Sequence, residues 1–455
     1  MQSGGETGTT ASDGGAVYDA IVLGCGVSGL IIARTLTDQG HTVLCVDEYG
    51  HAGGNHITDI VEGMEFDIGS IYFHERDLQF RYFPELGDAC IEKPVKLVKI
   101  GRNGRFAPYP FSFRHDVLDR GAAFLARSVA SWAADRARVL RVRSASDRIR
   151  RKLGLFFFRE SGLYSYMQRL FGLVPEDTSL TLVHRRMQWI INYSPTRILL
   201  DRILRIFAET REEQPVNRTL FRPPGGFAAY YDIAANRLRA DGADIVTGER
   251  LETVAGPENG TFSVTGRSGA CYRGRRLITT LPIWRICDLT GRTRPALSGI
   301  TLQTLRVAFR GDCRTDGDIL FNFHPGGPWK RITVMSAIYG KVNGWNYMSV
   351  ECPFADDPVP AGEAVFADFE RHVRSLGIFD GELRYLGCRE LREAYPRLAI
   401  GYEREQQRIL NDLASRGIES AGRQGLFDYI PHSAVAAEMI RKRFGRPAAK
   451  ASVEG

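Results

Sequence analysis

A glycine-rich turn near the start of the chain constrains its fold more than any other feature. A short apolar strand runs directly into three glycines, a helical stretch follows, and a second apolar strand ends on an acid. This order is typical of a βαβ unit that binds a dinucleotide. The parts are Ala20 to Leu23, Gly24, Gly26, Gly29, Thr42 to Val46 and Asp47.

Each residue type in this motif has a physical role at its position. Gly24 permits the tight turn, Gly26 lets the backbone approach a pyrophosphate, and Gly29 lets the helix pack closely on the strand. The start of the helix, where Ser28 lies, offers N–H groups and a positive dipole end to phosphates. Asp47 is placed to accept hydrogen bonds from ribose hydroxyls. A glycine-rich turn in an ordinary α/β protein is the alternative interpretation.

Size and charge set the frame for the rest of the chain. The 455 residues can bury a large core and predict about two domains. A net charge of +7 suits an anionic small ligand, although a basic surface near lipid or nucleic acid gives the same value. With no nucleic-acid-binding motif in view, we expect a small-molecule ligand and no nucleic acid.

Cysteine usage and the chain start favour a cytoplasmic protein. The eight cysteines are scattered singly, without a metal-like cluster, so we expect buried thiols in a reducing compartment and no bound metal. Residues 1–16 are rich in Gly, Ser and Thr and lack an apolar signal core, which predicts a disordered tail. No apolar run approaches the ~18 residues that span a bilayer.

A basic helical block is predicted over residues 112–214. Between Arg114 and Lys152 the sequence holds ten arginines and one lysine against four aspartates. A solvated helix face, contact with a membrane surface and contact with an acidic polymer are all open interpretations. An apolar stripe at helical spacing predicts the core-facing side of its first long helix: Leu118, Ala122, Leu125, Val129 and Trp132.

Several separated segments resemble one group of flavoenzymes. H-A-G-G-N, containing Gly53, Gly54 and Asn55, resembles a glycine pair that FAD enzymes of the amine-oxidase and UDP-galactopyranose mutase type place near the cofactor. P-P-G-G-F near residue 225 and A-G-R-Q-G, with Gly422 and Arg423, are similar to further FAD-contacting segments of that group. The resemblance spans residues 18 to 440 and implies FAD as the cofactor, with all these residues near it.

Three further segments are similar to UDP-galactopyranose mutase in particular. A-P-Y-P-F contains Tyr109, P-W-K-R-I-T contains Trp329 and Arg331, and G-R-Q-G-L-F-D-Y ends on Tyr429. Tyr395 precedes a proline in a fourth such piece. The resemblance implies that these residues bind the diphosphate or sugar of a nucleotide sugar. Ordinary alternatives are a salt bridge for Arg331, core packing for Trp329 and the tyrosines, and a helix-side ion pair for Arg423.

The sequence also departs from the mutase pattern. That family carries a histidine in the form G-x-H-x-F-H, where this chain has G-S-I-Y-F-H, so Ile71 stands in its place and only His74 matches. The expected K-x-W-G of the helical block is also missing. These departures bear on the mutase reaction itself, and the catalytic residues stay unassigned apart from His74.

The resemblance predicts the fold and leaves three functions open. We expect an α/β protein with a discontinuous Rossmann-type FAD-binding domain (17–111, 215–290 and 401–445), the helical insertion (112–214) and a β-rich substrate domain (291–400). The first function is a mutase-like pyranose–furanose interconversion of a nucleotide-diphosphate sugar through reduced flavin. The second is an FAD oxidoreductase of the amine oxidase, protoporphyrinogen oxidase or phytoene desaturase type, and the third is a non-catalytic flavin module. NAD(P)H is a candidate flavin reductant, peripheral membrane contact stays open, and the oligomeric state is not specified.

Overall fold

The amino-terminal βαβ unit forms as predicted and lies at the centre of a seven-stranded sheet. Strand Val17–Leu23 leads into helix Val27–Thr37, which returns to strand Val43–Asp47 beside it. The computed structural model describes residues 16–69, 72–75, 77, 79–187, 219–314, 317–430 and 433–445. The α/β class with a Rossmann-like domain is confirmed.

The first sheet joins three distant parts of the chain. Its strands run parallel except for an antiparallel pair at one edge, and the last short strand extends it beside Cys271–Thr279. All its strands fall within the three segments predicted to form the discontinuous domain. The order is Asp244–Thr247, Val43–Asp47, Val17–Leu23, Cys271–Thr279, Thr261–Gly266 and Leu251–Glu258, with Ile418–Ser420 beside Cys271–Thr279.

A close backbone contact holds the first helix on this sheet. A Cβ atom at Gly29 would lie 1.8 Å from the carbonyl oxygen of Gly24, so only hydrogen fits there. Seven residues of Val27–Thr37 are buried, and Leu30 and Ile31 pack with Tyr230 and Ile440 of two neighbouring helices. These two helices, Gly226–Ala240 and Ser433–Phe444, complete the layer on that side.

The second sheet is largely antiparallel and also has seven strands. It takes two strands, Leu97–Ile100 and Phe106–Pro108, from the stretch that the sequence assigned to the FAD-binding domain. Leu97–Ile100 pairs in parallel with Ile319–Asn322, which belongs to the predicted substrate domain. The expected boundary at residue 111 is therefore wrong, because the second sheet begins before it. The order is Leu383–Pro396, Gly299–Phe309, Asn346–Phe354, Arg331–Thr333, Ile319–Asn322, Leu97–Ile100 and Phe106–Pro108, so the strand Phe106–Pro108 lies at an edge of the sheet.

The basic block is helical throughout its described part. Ser144 and Asp147 form a reciprocal capping box at one helix start. The predicted helical block (112–214) is described only as far as residue 187, and the rest of it lies outside the described residues. The elements are Phe113–Asp116, the 3₁₀ turn Leu118–Arg120, Ala122–Arg138, Ala145–Leu153, Leu155–Glu160, Leu163–Phe171 and Leu180–Arg186.

The predicted core-facing stripe of helix Ala122–Arg138 is wrong. The buried residues are Phe124, Ser128 and Asp135, whereas Ala122 is exposed and Val129 is 48% exposed. Polar contacts decide the orientation, because the buried Asp135 accepts hydrogen bonds from the Arg150 guanidinium (2.7 Å) and the backbone of Leu155 (2.6 Å). Of the predicted stripe, Leu118, Ala122 and Val129 are therefore exposed, whereas Leu125 packs partly buried against the core and Trp132 is half-buried.

Smaller elements connect the two sheets. Hairpin Ile57–Val61 and Met64–Ile68 is antiparallel, and a three-stranded sheet orders Phe73–His74, Thr219–Phe221 and Ile91–Glu92. Within the described residues no helix is both long and apolar enough to cross a membrane. The remaining helices are Gln79–Tyr82, Pro84–Asp88, Ile283–Leu289, Met335–Tyr339, Gly362–Ser375, Tyr402–Ser415 and Gly422–Gly425.

We expect Gly29→Ala to destabilise the protein strongly, because the new methyl group would overlap the Gly24 carbonyl. Overpacking of this kind costs about 1–3 kcal/mol or more of folding free energy. Gly50→Ala is the matched control, since a Cβ there meets nothing within 4 Å. Thermal unfolding of both variants measures the difference. Equal melting temperatures would contradict the close packing at Gly29.

Candidate functional site: a glycine loop beside an arginine–tyrosine cluster

Two glycine-containing segments meet at the start of the first helix. The Gly53 N–H donates to the Cys25 carbonyl at 2.9 Å, and Gly26 and Gly53 form a parallel bridge. A Cβ at Gly26 would meet nothing nearer than the Gly54 Cα atom at 3.7 Å. Gly26 therefore presents bare backbone to an open side of the loop, which a phosphate group can approach.

Asp47 lies below this loop and is almost fully buried. Its carboxylate accepts the N–H groups of Cys25 (2.6 Å) and Tyr49 (2.8 Å), one on each oxygen. Burial raises the pKa of Asp47, and these two bonds oppose the shift. Each oxygen keeps a further lone pair for a ribose hydroxyl. On the adjoining turn, the Oδ1 atom of Asn55 accepts a hydrogen bond from the Tyr49 hydroxyl at 3.4 Å.

The carboxyl-terminal segment packs against the same helix start. The Ala421 N–H donates to the Thr279 carbonyl at 2.8 Å, which anchors the segment to the first sheet. Gly422 has a φ of +74°, and a Cβ there would lie 2.9 Å from Ser28 Oγ. Arg423 follows directly. Within the described structure its side chain has no ion pair or hydrogen bond, and burial lowers its pKa.

These features fit a dinucleotide cofactor. The loop offers open backbone at Gly26 and Asp47 retains acceptor capacity. Arg423 supplies a largely buried positive charge that has no acidic partner among the described residues. A pyrophosphate at the helix start and a ribose at Asp47 would use these groups in the way that the motif predicts.

A second group of functional side chains, the arginine–tyrosine cluster, lies where the segment after Arg423 meets the second sheet. It comprises Arg186, Lys330, Arg331, Glu351, Tyr72, Tyr109, Tyr166, Tyr395 and Tyr429. Interaction with Tyr429 raises the pKa of Arg186 despite burial, and Tyr166 and Tyr109 act in the same direction. Arg186 thus lies near four tyrosines, the fourth being Tyr72, and no acidic partner of its side chain is found in the described structure.

Arg331 is held by a buried acid. Its guanidinium makes a bidentate contact with Glu351 (2.7 and 2.8 Å) and also donates to the Gly69 carbonyl. Lys330 lies 3.5 Å from the same carboxylate. Burial opposes the Arg331 cation, but Glu351 outweighs it and the pKa of Arg331 is raised. Burial lowers the pKa of Lys330 to about 8, with Glu351 opposing. Two cations therefore share one carboxylate.

Tyr395 and Tyr429 lie together on the carboxyl-terminal side of the cluster. Their ring centroids are 6.2 Å apart, and Tyr429 also packs edge-on against Phe171. The Tyr395 hydroxyl donates to the Leu170 carbonyl at 2.9 Å, so this donor is already used. Tyr429 is the less buried of the two, and it links the cluster to Arg423 six residues earlier.

The other predicted substrate residues differ in position. Tyr109 stacks on Phe321 with ring centroids 3.7 Å apart, and it interacts electrostatically with Arg186 and Arg331. Trp329 is completely buried, and its indole N–H donates to His372 at 3.0 Å. Trp329 is therefore a core residue and does not line the cluster. This agrees with core packing, the alternative to substrate binding given for it above.

His74 lies at the margin of the cluster. Its ring packs edge-on against Tyr72, with centroids 5.5 Å apart, and Tyr72 in turn interacts with Arg186. The His74 Nδ1 atom is buried, and none of the described residues forms a hydrogen bond with it. Ile71, which replaces the family's other histidine, lies outside the described residues.

Sequence reasoning missed several members of this site. Arg186, in the run H-R-R, and Tyr166 both lie in the predicted helical block, where neither was singled out. Glu351 was not singled out, although its strand was expected. These residues are distant along the chain, and the sequence does not show that the helical block packs against the second sheet.

Comparisons with known proteins agree with the fold. A family profile described as "NAD(P)-binding Rossmann-like domain" matches residues 22–86. An all-trans-retinol 13,14-reductase of Danio rerio is 42% identical over 57 residues, which cover 12% of this chain and only 9% of that protein. The chain thus matches a small part of this curated relative, around the glycine loop.

Solved structures match over nearly the whole chain at low identity. A reduced UDP-galactopyranose mutase superposes with a TM-score of 0.75 at 18% identity, covering 95% of this chain and 96% of that one. A putrescine oxidase gives 0.57 at 16% identity, covering 94% and 98%. The expectations of an FAD cofactor and of an enzyme agree with these comparisons. The chain therefore has the fold shared by UDP-galactopyranose mutase and the amine-oxidase type of FAD flavoprotein.

Proposed function

We propose that the protein is an FAD-dependent enzyme that binds a nucleotide-diphosphate sugar at the arginine–tyrosine cluster. Gly26, Asp47 and Arg423 would hold the dinucleotide. Bound FAD would supply the redox-active ring system, while the protein orients the substrate beside it and holds its charge. A mutase-like ring interconversion is the reaction that we favour.

One observation carries this proposal: the cluster has an excess of largely buried positive charge next to the glycine loop. Arg186, Lys330 and Arg331 face a single carboxylate, Glu351, and Arg423 adds a further cation towards the loop. Isolated buried cations are costly, so a site of this kind favours an anionic ligand that supplies the missing charge. A diphosphate does so and is matched by guanidinium forks.

The tyrosines suit the remainder of such a ligand. Tyr109, Tyr166 and Tyr429 are rigid rings with hydroxyl groups, and they border Arg186 from separate segments. Aromatic faces pack on sugars or bases, while the hydroxyls orient polar groups at low entropic cost. The whole-chain similarity to a UDP-galactopyranose mutase supports the same substrate class.

An FAD oxidoreductase is the competing function, and similarity to a putrescine oxidase supports it. The cationic cluster argues against a cationic amine as substrate, because an amine would add to the uncompensated charge. Anaerobic titration of dithionite-reduced protein with UDP-, GDP- and dTDP-sugars, followed by product analysis, separates the two. Ring isomers without oxygen uptake support the proposal, and hydrogen peroxide release with an amine or isoprenoid contradicts it.

Exchange of Gly26 for valine should abolish flavin binding while the chain stays folded. The side chain would occupy the open face of the loop, where the pyrophosphate is expected, yet its Cβ atom would meet only Gly54 within 4 Å. Flavin absorbance of the purified variant, with Gly50→Ala as the control, is the measurement. Full flavin content in Gly26→Val would contradict this placement of the cofactor.

Arg186→Gln should weaken nucleotide-sugar binding by about 10- to 150-fold, the loss of one or two charge-assisted hydrogen bonds of about 1.5–3 kcal/mol in total. The melting temperature and flavin content should not change, because Arg186 has no acidic partner in the described structure. Arg267→Gln, at an exposed arginine of the first sheet, is the control. Unchanged affinity would remove Arg186 from the site.

Arg331→Ala should behave differently, because it weakens binding and also destabilises the fold. Glu351 is only 2% exposed and would keep Lys330, 3.5 Å away, as its remaining cation. Breaking a buried pair in this way costs about 3–5 kcal/mol. Calorimetry measures the loss of stability, and ligand titration measures the loss of nucleotide-sugar affinity. A variant with wild-type stability would show that the Arg331–Glu351 contact is not formed in solution.

A further inference from the structure

Helix Ala122–Arg138 presents an apolar stripe to solvent. Every fourth or third residue of its outward side is small and apolar, and the stripe continues past the helix end to Leu140, which is 82% exposed. Of the six large apolar side chains that are exposed in the described structure, three lie on this short stretch: Leu118, Val129 and Leu140. The stripe consists of Ala122, Ala126, Val129, Ala130, Ala133 and Ala137.

Arginines border this stripe on both sides. At helical spacing Arg136 lies on one side of it, and Arg127 and Arg138 lie on the other. Arg141 and Arg143 follow Leu140 and are likewise exposed. The guanidinium groups of Arg127 and Arg136 lie over aromatic rings, at 4.5 and 5.7 Å from the centroids, and not against acids.

The acidic residues of the block do not neutralise these arginines. Asp116 pairs with Lys99 at 2.7 Å, Asp119 with Arg114 at 3.9 Å, and Asp135 with Arg150 at 2.7 Å. The fourth aspartate, Asp147, accepts backbone N–H groups at the start of the next helix. In the described structure, the arginines beside the stripe therefore form an uncompensated positive rim.

We propose that this surface, the stripe with its arginine rim, docks the protein peripherally on an anionic lipid membrane. An apolar helical face bordered by basic residues lies in the interfacial plane of a bilayer, with the apolar side chains among the acyl chains and the cations at the headgroups. The site is separate from the glycine loop and the arginine–tyrosine cluster, and it does not depend on the proposed reaction.

Two observations favour lipid over other occupants. A symmetric contact between two copies would bring the same arginines of each copy together, and like charges oppose it. A nucleic acid or acidic polysaccharide would use the arginines but would leave Leu118, Val129 and Leu140 exposed to water. Of these occupants, the anionic bilayer is the one that matches both the charge and the apolar surface.

Vesicle flotation of the full chain tests the proposal. The probes are phosphatidylcholine vesicles with about one third phosphatidylserine, and vesicles of phosphatidylcholine alone. We expect binding to the anionic vesicles, little binding to the neutral ones, and release by high salt. Val129→Ser with Leu140→Ser, and Arg138→Glu with Arg141→Glu, should each lower the partition coefficient at least about tenfold.

Matched controls make the result specific. Ile400 is 53% exposed elsewhere on the molecule, so Ile400→Ser and Arg267→Glu should leave binding unchanged. Flavin content and melting temperature should be unchanged in all variants, because each altered side chain is exposed.

Three outcomes would overturn the proposal. The first is the absence of binding to anionic vesicles, or binding that none of the stripe variants reduces. The second is a dimer in solution that the stripe variants dissociate, without vesicle binding. The third is binding to heparin or DNA that depends on the arginines alone, again without vesicle binding.

Discussion

The contact between the first helix and the first strand is the constraint on which the rest of the site depends. Gly29 allows the helix to approach until the position of a Cβ would be 1.8 Å from the Gly24 carbonyl. This close approach fixes the start of the helix, so that its positive dipole end lies at the open backbone of Gly26. Gly422 then packs on Ser28 at the same helix start, which sets where Arg423 and Tyr429 lie. The two parts of the site are therefore positioned by one close-packed junction.

Electrostatics in the arginine–tyrosine cluster explain why it is suited to a charged ligand. Glu351 lowers the cost of burying Arg331 and Lys330, and its own pKa is lowered by them against the effect of burial. It cannot also neutralise Arg186 and Arg423, which have no acidic partner in the described structure. A bound dinucleotide and a bound diphosphate would each supply negative charge where the protein lacks it. The same surplus makes a cationic substrate unfavourable.

The local motif was predictable from the sequence, and the long-range pairings were not. Gly24, Gly26, Gly29 and Asp47 have roles that follow from strand, turn and helix periodicity within thirty residues. Leu97–Ile100 was misassigned because strand pairing with Ile319–Asn322 leaves no signal in either segment alone. The predicted stripe of Leu118, Ala122, Leu125, Val129 and Trp132 was assigned to the core because periodicity shows which residues share a face and does not show which face is buried. The buried Asp135 decided that question.

The same limit applies to the candidate substrate residues. Tyr109, Arg331, Tyr395 and Tyr429 were found through short motifs and do come together, whereas Trp329 has the right neighbours in sequence but points into the core. Arg186 could not be found, because its role depends on how the helical block folds over the second sheet. Side-chain direction on a strand or helix end needs the tertiary structure.

Reconstitution of the deflavinated protein tests the central claim most directly, because the glycine loop is expected to hold the pyrophosphate of FAD, a group that FMN lacks. Isothermal titration with FAD, FMN and NAD compares ligands that share the flavin or the pyrophosphate. We predict one FAD per chain bound tightly, with FMN and NAD bound far more weakly. No binding of FAD, or equal affinity for FMN, would contradict the account.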